Sequence, residues 1–265
     1  MGNFEFKKKF GQNFLSDTTL LTEIVEKANV TSEDIVVEIG AGKGALTEVL
    51  SKYAKKVYSF EVDKDLFGFL QTKFEGSNVE FIFEDIMNFS DEKLSELVGD
   101  SFLLVANLPY YITSPIITRF LKNKNMRSLT VMVQEEVADR IIAGPKTKDY
   151  GVLTIICGLF GESQKVIRVG REKFYPVPKV DSAVVKIVRE ENYNLNNYEY
   201  FVNFVKKCFA MRRKKLSANL ESRNLSNIEI EKMLVQKGFS EMTRAEELSI
   251  SDFKKLFELF YDKLK

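Results

Sequence analysis

The fold is decided by one stretch of the sequence, residues 35–44, which reads IVVEIGAGKG. Its first five residues are rich in β-branched side chains and predict a strand. The three glycines that follow let the backbone turn and let a ligand approach closely, and a helix is predicted to begin at Ala45. Amide N–H groups at the start of such a helix favour an anion. The stretch therefore predicts a strand, a ligand-binding loop and a helix.

The glycine loop by itself leaves three interpretations open. With Ala45 it satisfies the loose pattern Gly-x-Gly-x-x-Gly/Ala, which is typical of nicotinamide-dependent enzymes. The loop is equally compatible with a methyltransferase, and a tight turn without a ligand is the third possibility. The rest of the chain has to decide among them.

Strands and helices alternate along the first two thirds of the chain. Further strands are predicted at 57–60, 79–83, 102–106, 129–134, 165–169 and 180–188. Helices are predicted at about 18–28, 45–54, 64–74, 114–122, 135–142 and 150–160, the first capped by Ser16 and Asp17. This alternation is typical of a parallel sheet with helices on both faces, and we expect the last two strands to form a hairpin at one edge.

Two acidic residues come directly after predicted strands. Glu61 follows the second strand, where its carboxylate could accept from both ribose hydroxyls of a nucleoside cofactor. Asp85 follows the third strand and could accept from an adenine amino group. Alone, each could instead be a surface acid or a turn residue. Because open α/β sheets bind ligands beyond the C-terminal ends of their strands, the combination predicts a nucleoside site.

The stretch Asn107-Leu108-Pro109-Tyr110 follows the fourth strand and decides between the two enzyme classes. A dehydrogenase has no need of it, whereas transfer to the amino group of adenine does. The Asn107 side chain and a backbone carbonyl of the turn would accept the two amine hydrogens and direct the lone pair toward a sulfonium methyl. Holding the two reactants aligned in this way can lower the activation barrier by about 7–11 kcal/mol. We therefore predict an adenine amino-methyltransferase in which the ring of Tyr110 stacks on the base.

A second aromatic side chain lies on a proline-stiffened loop, residues 174–178, which reads FYPVP. Phe174 could cover the other face of the base, and the alternative is a core aromatic residue. Extruding a base costs a few kcal/mol and each stack returns about 1–3 kcal/mol, so a two-sided clamp would offset the extrusion.

Composition narrows the chemistry further. The chain of 265 residues is 45% apolar, contains no stretch approaching a membrane span, and begins without a signal peptide, so a cytoplasmic protein is expected. It has no histidine, which excludes a histidine base, and its two cysteines have no metal-binding spacing, so no metal is expected. The net charge of only +1 means that nucleic-acid affinity must come from local clusters.

Four parts are predicted along the chain: a basic arm (1–16), the α/β domain (17–189), a linker (190–197) and a helical domain (198–265). The last helix of the helical domain is predicted at 251–264, capped by Ser251 and Asp252. Basic residues are concentrated in the first and last parts, as Lys7, Lys8, Lys9, Arg212, Arg213, Lys214 and Lys215. Both clusters predict phosphate contacts with a nucleic acid, although a solvated tail or a solvated helix face would look the same.

Four motifs carry a resemblance to a known family. They are FGQNFL (10–15), EIGAGKGALT (38–47), NLPY (107–110) and FYPVPKVDS (174–182). On these residues the chain resembles the bacterial small-subunit ribosomal RNA adenine dimethyltransferases of the KsgA type, from about Lys8 to the C-terminus. The resemblance implies a Rossmann-like class I methyltransferase sheet of seven strands, a small all-α C-terminal domain, and S-adenosylmethionine as methyl donor.

The same resemblance implies site residues and a substrate. The donor site would use Asn13, Leu15, Gly40, Gly42, Glu61, Asp85 and Asn107. The substrate would be two adjacent adenosines in a hairpin loop near the 3′ end of 16S rRNA, each methylated twice during maturation of the small (30S) subunit, and the enzyme is expected to be a monomer. The helical domain would dock on the ribosome. One position departs from the family, which usually has Asn where this chain has Tyr111.

Two alternatives remain open at this point. A 23S rRNA adenine methyltransferase of the macrolide-resistance type shares the chemistry, but the residues 10–12 and 179–182 favour the small-subunit target. A ribosome-assembly or transcription factor without catalysis could share the fold, but the presence of Glu61, Asp85 and Asn107 argues against it.

Overall fold

The computed structural model describes residues 14–191, 197–222 and 225–264. Lys7, Lys8 and Lys9 of the predicted basic arm and the predicted donor residue Asn13 lie outside the described residues. The chain divides by its contacts into two compact units, and each is discontinuous. Among the described residues the first unit comprises 14–138 and 161–191, and the second comprises 139–160 and the residues from 197 onward.

The described strands form one large sheet and one short pair. In chain order they are β1 (Phe14–Leu15), β2 (Ile35–Ile39), β3 (Lys56–Phe60), β4 (Val79–Ile82), β5 (Phe102–Asn107), β6 (Met126–Gln134), β7 (Gly161–Val169), β8 (Phe174–Tyr175) and β9 (Ser182–Arg189). The seven-stranded sheet has the order β4-β3-β2-β5-β6-β9-β7, and β1 pairs with β8. Neighbours from β4 to β6 are parallel, whereas β7 and β9 are an antiparallel hairpin at one edge. The predicted fold class is confirmed.

The last strand of the chain does not lie at the edge of the sheet. β9 runs antiparallel to both β6 and β7 and is hydrogen-bonded between them. Its first residue, Ser182, is in register with Gln134 of β6 and with Val169 of β7. Ser182 is therefore held from both sides, directly beside the ends of two other strands.

Helices connect the strands and make up the second unit. In chain order they are α1 (Thr18–Lys27), α2 (Ala45–Tyr53), α3 (Phe67–Lys73), α4 (Asp91–Val98), α5 (Thr113–Leu121), α6 (Glu135–Ile142), α7 (Val152–Phe160), α8 (Tyr198–Cys208), α9 (Leu216–Leu220), α10 (Asn227–Gln236) and α11 (Ile250–Leu264). None of the helices in the described part of the chain is long and apolar enough to cross a membrane.

Two helix details differ from the sequence prediction. α4 was not predicted, because only Leu94 and Val98 of its eight residues are buried and the apolar pattern is short; Ser90 caps it by accepting from the Lys93 amide. The last helix begins after Ser249, which exchanges hydrogen bonds with Asp252, rather than at the predicted Ser251 cap. The cap therefore lies two residues earlier than expected.

Both faces of the central sheet are covered. All five residues from Phe102 to Ala106 in β5 are buried, and successive side chains of a strand point to opposite faces. On one face, α1 and α2 contribute Leu21, Ile24 and Leu50 to the apolar core. Since the faces are occupied by the core, the C-terminal ends of the parallel strands remain as the natural position for a ligand.

The second unit has its own apolar core, and α7 belongs to it. Ile155 of α7 is completely buried in this core, and the Tyr150 hydroxyl donates to the carbonyl of Leu248 at 2.5 Å. The sequence prediction placed residues 139–160 within the 17–189 domain. By contacts they group instead with the C-terminal helices, because the apolar side chains around α7 pack there.

Two glycines with the same backbone conformation allow a test of packing beneath the glycine loop. Gly44 and Gly76 have φ of +73° and +72°. A Cβ atom at Gly44 would lie 2.6 Å from the ring of Phe74, whereas none of the atoms near Gly76 lies within 4 Å of such an atom. We expect Gly44→Ala to lower the free energy of unfolding by about 1–3 kcal/mol more than Gly76→Ala does, because only Gly44→Ala overpacks the core.

Urea unfolding followed by circular dichroism measures this difference. Gly76→Ala is the matched control, since it carries the same backbone strain in open space. Equal losses in the two variants would contradict the packing argument.

Candidate active site

A cleft opens at the C-terminal ends of the parallel strands of the first unit. It brings together nine of the predicted site residues: Leu15, Gly40, Gly42, Glu61, Asp85, Asn107, Leu108, Pro109 and Tyr110. They come from segments that are far apart in sequence, and the parallel strand order assembles them. The predicted combination of a glycine loop, strand-end acids and the Asn-Leu-Pro-Tyr turn is therefore one site.

The glycine loop is fixed to the neighbouring strand β3. The Gly40 amide donates to the carbonyl of Phe60 at 2.8 Å. Gly42 has φ of +54°, and a Cβ atom there would lie 3.0 Å from the ring of Phe14. The loop thus needs glycine at this position both for its backbone and for the close approach of Phe14. The amide of Gly42 is not left for an anion, because it donates to Glu61 at 2.8 Å.

The Glu61 carboxylate is held almost entirely by backbone amides. Its Oε1 accepts from the amides of Val62 and Asp63, and its Oε2 accepts from Gly42, each at 2.8 Å. Only 5% of the residue is exposed. A carboxylate offers about four acceptor positions, so Oε2 keeps one for a ligand hydroxyl. In this arrangement the predicted contact with two ribose hydroxyls requires one of them to compete with the Gly42 amide.

Asp85 is more accessible than Glu61. It is exposed at the rim of the cleft, and its Oδ1 accepts from the Met87 amide at 2.9 Å. This bond orients the carboxylate and leaves further acceptor positions, since an ionised carboxylate has two oxygens. The side chain thus keeps acceptor positions for an amino group, and this role of Asp85 stays a prediction.

The Asn107–Tyr110 turn presents backbone acceptors next to an amide side chain. Leu108 is buried, and its amide donates to the carbonyl of Met132 at 3.2 Å, which anchors the turn to β6. The carbonyl of Pro109 accepts from the Ile112 amide at 3.2 Å and from the Thr113 hydroxyl at 3.1 Å. The Pro109 carbonyl is therefore already engaged by the short helical turn that follows.

Tyr110 is oriented by a distant residue. Its hydroxyl lies 2.7 Å from the hydroxyl of Ser182, which is completely buried at the start of β9. Burial raises the pKa of Tyr110 above its ordinary value of 10.0, so the phenol stays neutral at physiological pH. One end of the ring is thus fixed to the sheet, and the ring lines the cleft.

Phe174 does not line this cleft. Its side chain is only 3% exposed and lies in the apolar core of the first unit. The reason is the pairing of β8 with β1, in which Phe174 is in register with Leu15. The position of Phe174 matches the core alternative, and its covering of a base stays a prediction.

Several cleft residues were not singled out from the sequence as donor-site residues. They include Phe14, Ser16, Val62, Ile86 and Tyr111. Each is adjacent in sequence to a predicted site residue or motif. Their positions near strand ends could have indicated them. That signal does not show which residue beside a predicted site residue faces the cleft.

Glu38 lies beneath the glycine loop and is completely enclosed. Its Oε2 accepts from the hydroxyls of Thr47 and Ser59, both at 2.6 Å. Burial raises the pKa of Glu38 from 4.5 to about 7, the two hydroxyls oppose this rise, and the charge of Glu61 adds to it. The chain without histidine therefore has a carboxyl group that titrates near neutrality.

Two of the four basic side chains at residues 212–215 make contacts within the second unit. Arg212 donates to Glu246 at 2.9 Å and to the carbonyls of residues 147 and 148, and Lys215 pairs with Glu231 at 3.3 Å. Arg213 and Lys214 are exposed. Of the four predicted phosphate contacts in this run, two side chains are thus engaged with the protein and two face solvent.

The strand order, the glycine loop and the strand-end acids define a Rossmann-like methyltransferase fold. A family model described as ribosomal RNA adenine dimethylase matches residues 3–262. The chain belongs to the ribosomal RNA adenine dimethylase family.

Individual relatives agree with this family over nearly their whole length. A ribosomal RNA small subunit methyltransferase A from Clostridium botulinum is 43% identical over 263 residues, covering 98% of this chain and 95% of the relative. One from Caldanaerobacter subterraneus is 41% identical, covering 96% and 97%.

Solved structures are also similar. A dimethyladenosine transferase from Plasmodium falciparum has a TM-score of 0.79 at 29% identity, covering 94% of this chain and 98% of that one. The 23S rRNA methyltransferase ErmE has a TM-score of 0.70 at 29% identity, covering 93% and 98%. The resemblance stated from the motifs is confirmed.

The buried Glu38 predicts a specific dependence of stability on pH. A raised pKa means that the folded protein binds the proton more tightly than the unfolded chain, so this contribution to stability falls as pH rises from 4.5 to above 7. Glu38→Gln removes the titration. We expect the stability of Glu38→Gln relative to the wild type to increase as pH rises from about 5 to about 8.

Thermal unfolding across this pH range measures the effect. Glu96→Gln, which changes an exposed acid of α4, is the control and should follow the wild type. Parallel profiles for Glu38→Gln and the wild type would show that Glu38 does not titrate in this way.

Proposed function

We propose that this chain transfers methyl groups from S-adenosylmethionine to the N6 amines of two adjacent adenosines near the 3′ end of 16S rRNA. The target loop would be methylated within a small-subunit particle, in the cytoplasm, by a monomeric enzyme. The observation that carries the proposal is the single cleft that joins Glu61 and Asp85 to the Asn107–Tyr110 turn, in a chain of the ribosomal RNA adenine dimethylase family. The names of the bacterial relatives support the small subunit as the target.

The residues of the cleft fit a nucleoside-containing methyl donor. Glu61 and Asp85 both keep acceptor positions, one suited to a hydroxyl and the other to an amino group. Each is followed by an apolar residue that also lines the cleft, Val62 and Ile86, which suits the faces of a base. When bound, S-adenosylmethionine supplies an electrophilic methyl group on its sulfonium.

The turn would prepare the acceptor amine. The lone pair of an adenine amino nitrogen is delocalised into the ring, so the amine is a poor nucleophile until its two hydrogens are drawn toward acceptors. The Asn107 side chain supplies one acceptor. Because the Pro109 carbonyl already accepts two hydrogen bonds, we assign the second to the carbonyl of Leu108. The anchored Leu108 amide keeps this carbonyl fixed relative to β6.

Tyr110 would provide the surface on which the base stacks. Its hydroxyl is held by Ser182, so the ring orientation does not depend on the substrate. A base stacked on an aromatic side chain gains about 1–3 kcal/mol, which offsets part of the cost of taking it out of its own stack. The methylated amine loses its proton easily, so the site needs no strong base and the absence of histidine is no obstacle.

We expect wild-type protein to transfer tritiated methyl groups from S-adenosylmethionine to 16S rRNA in small-subunit particles. Asn107→Ala should reduce turnover by about 100-fold with little change in donor affinity, because it removes the alignment of the amine. Glu61→Ala should instead weaken donor binding by about tenfold or more, because it removes a charged acceptor.

The assay uses separated ribosomal subunits, and donor affinity is measured by equilibrium dialysis. Label found only in 23S rRNA would favour the activity for which the similar ErmE protein is named and overturn the small-subunit target. Donor binding without transfer to either subunit would favour the non-catalytic alternative. Wild-type turnover in both variants would show that the site is misassigned.

The basic run of the second unit would contribute to rRNA binding through its two exposed members. We expect the double variant Arg213→Ala with Lys214→Ala to bind small-subunit particles more weakly and to reduce the salt dependence of binding, by about 0.7–0.9 in the log–log slope for each charge. Its stability should be unchanged, since both side chains face solvent.

Arg212→Ala is the contrasting variant. It breaks the contacts with Glu246 and with the carbonyls of residues 147 and 148, so we expect a loss of about 1–3 kcal/mol of unfolding free energy. Filter binding at several salt concentrations and urea unfolding distinguish the two roles. An unchanged salt slope in the double variant would remove this run from the proposed rRNA contacts.

A further inference from the structure

Tyr111 is an exposed aromatic residue at the rim of the donor cleft. It lies in the short helical turn Tyr110–Ile112 directly after Pro109, and 58% of the residue is exposed. Its side chain lines the same cleft as Asp85 and Val62. The ring therefore has surface that is available to a ligand in the cleft.

Tyr111 lines the cleft together with Asp85 and Glu61. Burial raises the pKa of Tyr111, and the negative charges of Asp85 and Glu61 raise it further. These two carboxylates are the acceptors assigned above to the nucleoside of the donor. Tyr110, in contrast, directs its hydroxyl to Ser182. The two adjacent tyrosines therefore serve different parts of the site.

We propose that the ring of Tyr111 covers the nucleoside of S-adenosylmethionine and closes the open side of the donor cleft. This inference rests on the proposed function. The neutral phenol adds no charge to the pair of carboxylates, and its ring supplies an apolar surface that a carboxamide at the same position lacks. Tyr111 is thus a donor-binding residue, and its contribution comes from the ring rather than from the hydroxyl.

Donor affinity separates this role from the alternatives without any RNA. Equilibrium dialysis with S-adenosylmethionine and S-adenosylhomocysteine is carried out on the wild type, Tyr111→Phe, Tyr111→Asn and Tyr111→Ala. We expect Kd to rise roughly tenfold in the Asn and Ala variants, as for the loss of one aromatic stack, and to stay within about twofold in the Phe variant. Tyr175→Ala is the matched control, since Tyr175 is 68% exposed and does not line the cleft.

Fragments of the donor locate the contact. Methylthioadenosine should lose affinity for Tyr111→Ala to the same extent as the whole donor, whereas competition by free methionine should be unchanged. An equal loss in the Phe and Ala variants would overturn the role of the ring. Unchanged donor affinity in Tyr111→Ala, with a raised KM for the RNA particle, would overturn the inference in favour of a contact with the substrate.

These outcomes are distinct from a failure of the proposed function. If the wild type does not bind S-adenosylmethionine, both proposals fail together. If the wild type and Tyr111→Ala bind it equally well while Glu61→Ala does not, only the inference about Tyr111 fails. Circular dichroism of each variant confirms that the comparison is made on folded protein.

Discussion

The Glu61 carboxylate is the contact on which the cleft depends. It accepts three backbone amides, one from the glycine loop after β2 and two from its own turn after β3. Charged acceptors make hydrogen bonds about twice as strong as neutral ones, so this one side chain fixes two neighbouring strand ends relative to each other. Glu61 therefore holds the glycine loop and the turn that contains Asp63 in one arrangement.

In the proposed function, the site aligns its ligands mainly with neutral groups. The assigned acceptors for the amine are an amide oxygen and a backbone carbonyl, and the stacking surface is a neutral phenol held by a serine hydroxyl. None of these groups changes charge near neutral pH. The Glu38 carboxyl, whose pKa is raised to about 7, is buried beneath the loop. The groups proposed to align the substrate and the carboxyl that titrates near neutral pH, Glu38, thus lie in different parts of the first unit.

The sequence was sufficient to place side chains that lie at strand ends in one cleft. Glu61, Asp85 and Asn107 each follow a recognisable strand, and a parallel sheet brings such positions together whatever their separation along the chain. The sequence was insufficient where a residue distant along the chain determines whether a side chain is buried or engaged. Phe174 is buried because Leu15 lies opposite it in a two-residue pairing, and Arg212 is engaged because Glu246 approaches it from 34 residues away. A single sequence contains neither pairing as a local pattern, so it does not show that the fold already engages these two side chains.

The position of β9 has a consequence for the order in which the site is completed. A polypeptide emerges from the ribosome N-terminus first, so β6 and β7 are synthesised before the strand that lies between them. Until residues 182–189 have emerged, the almost wholly buried strand β6 has an unpaired edge, which is a hazard for association with other chains. The same strand delivers Ser182 to Tyr110. Closing the sheet and fixing the ring of Tyr110 are therefore one event during synthesis, and an incomplete chain lacks both a protected edge and an oriented ring.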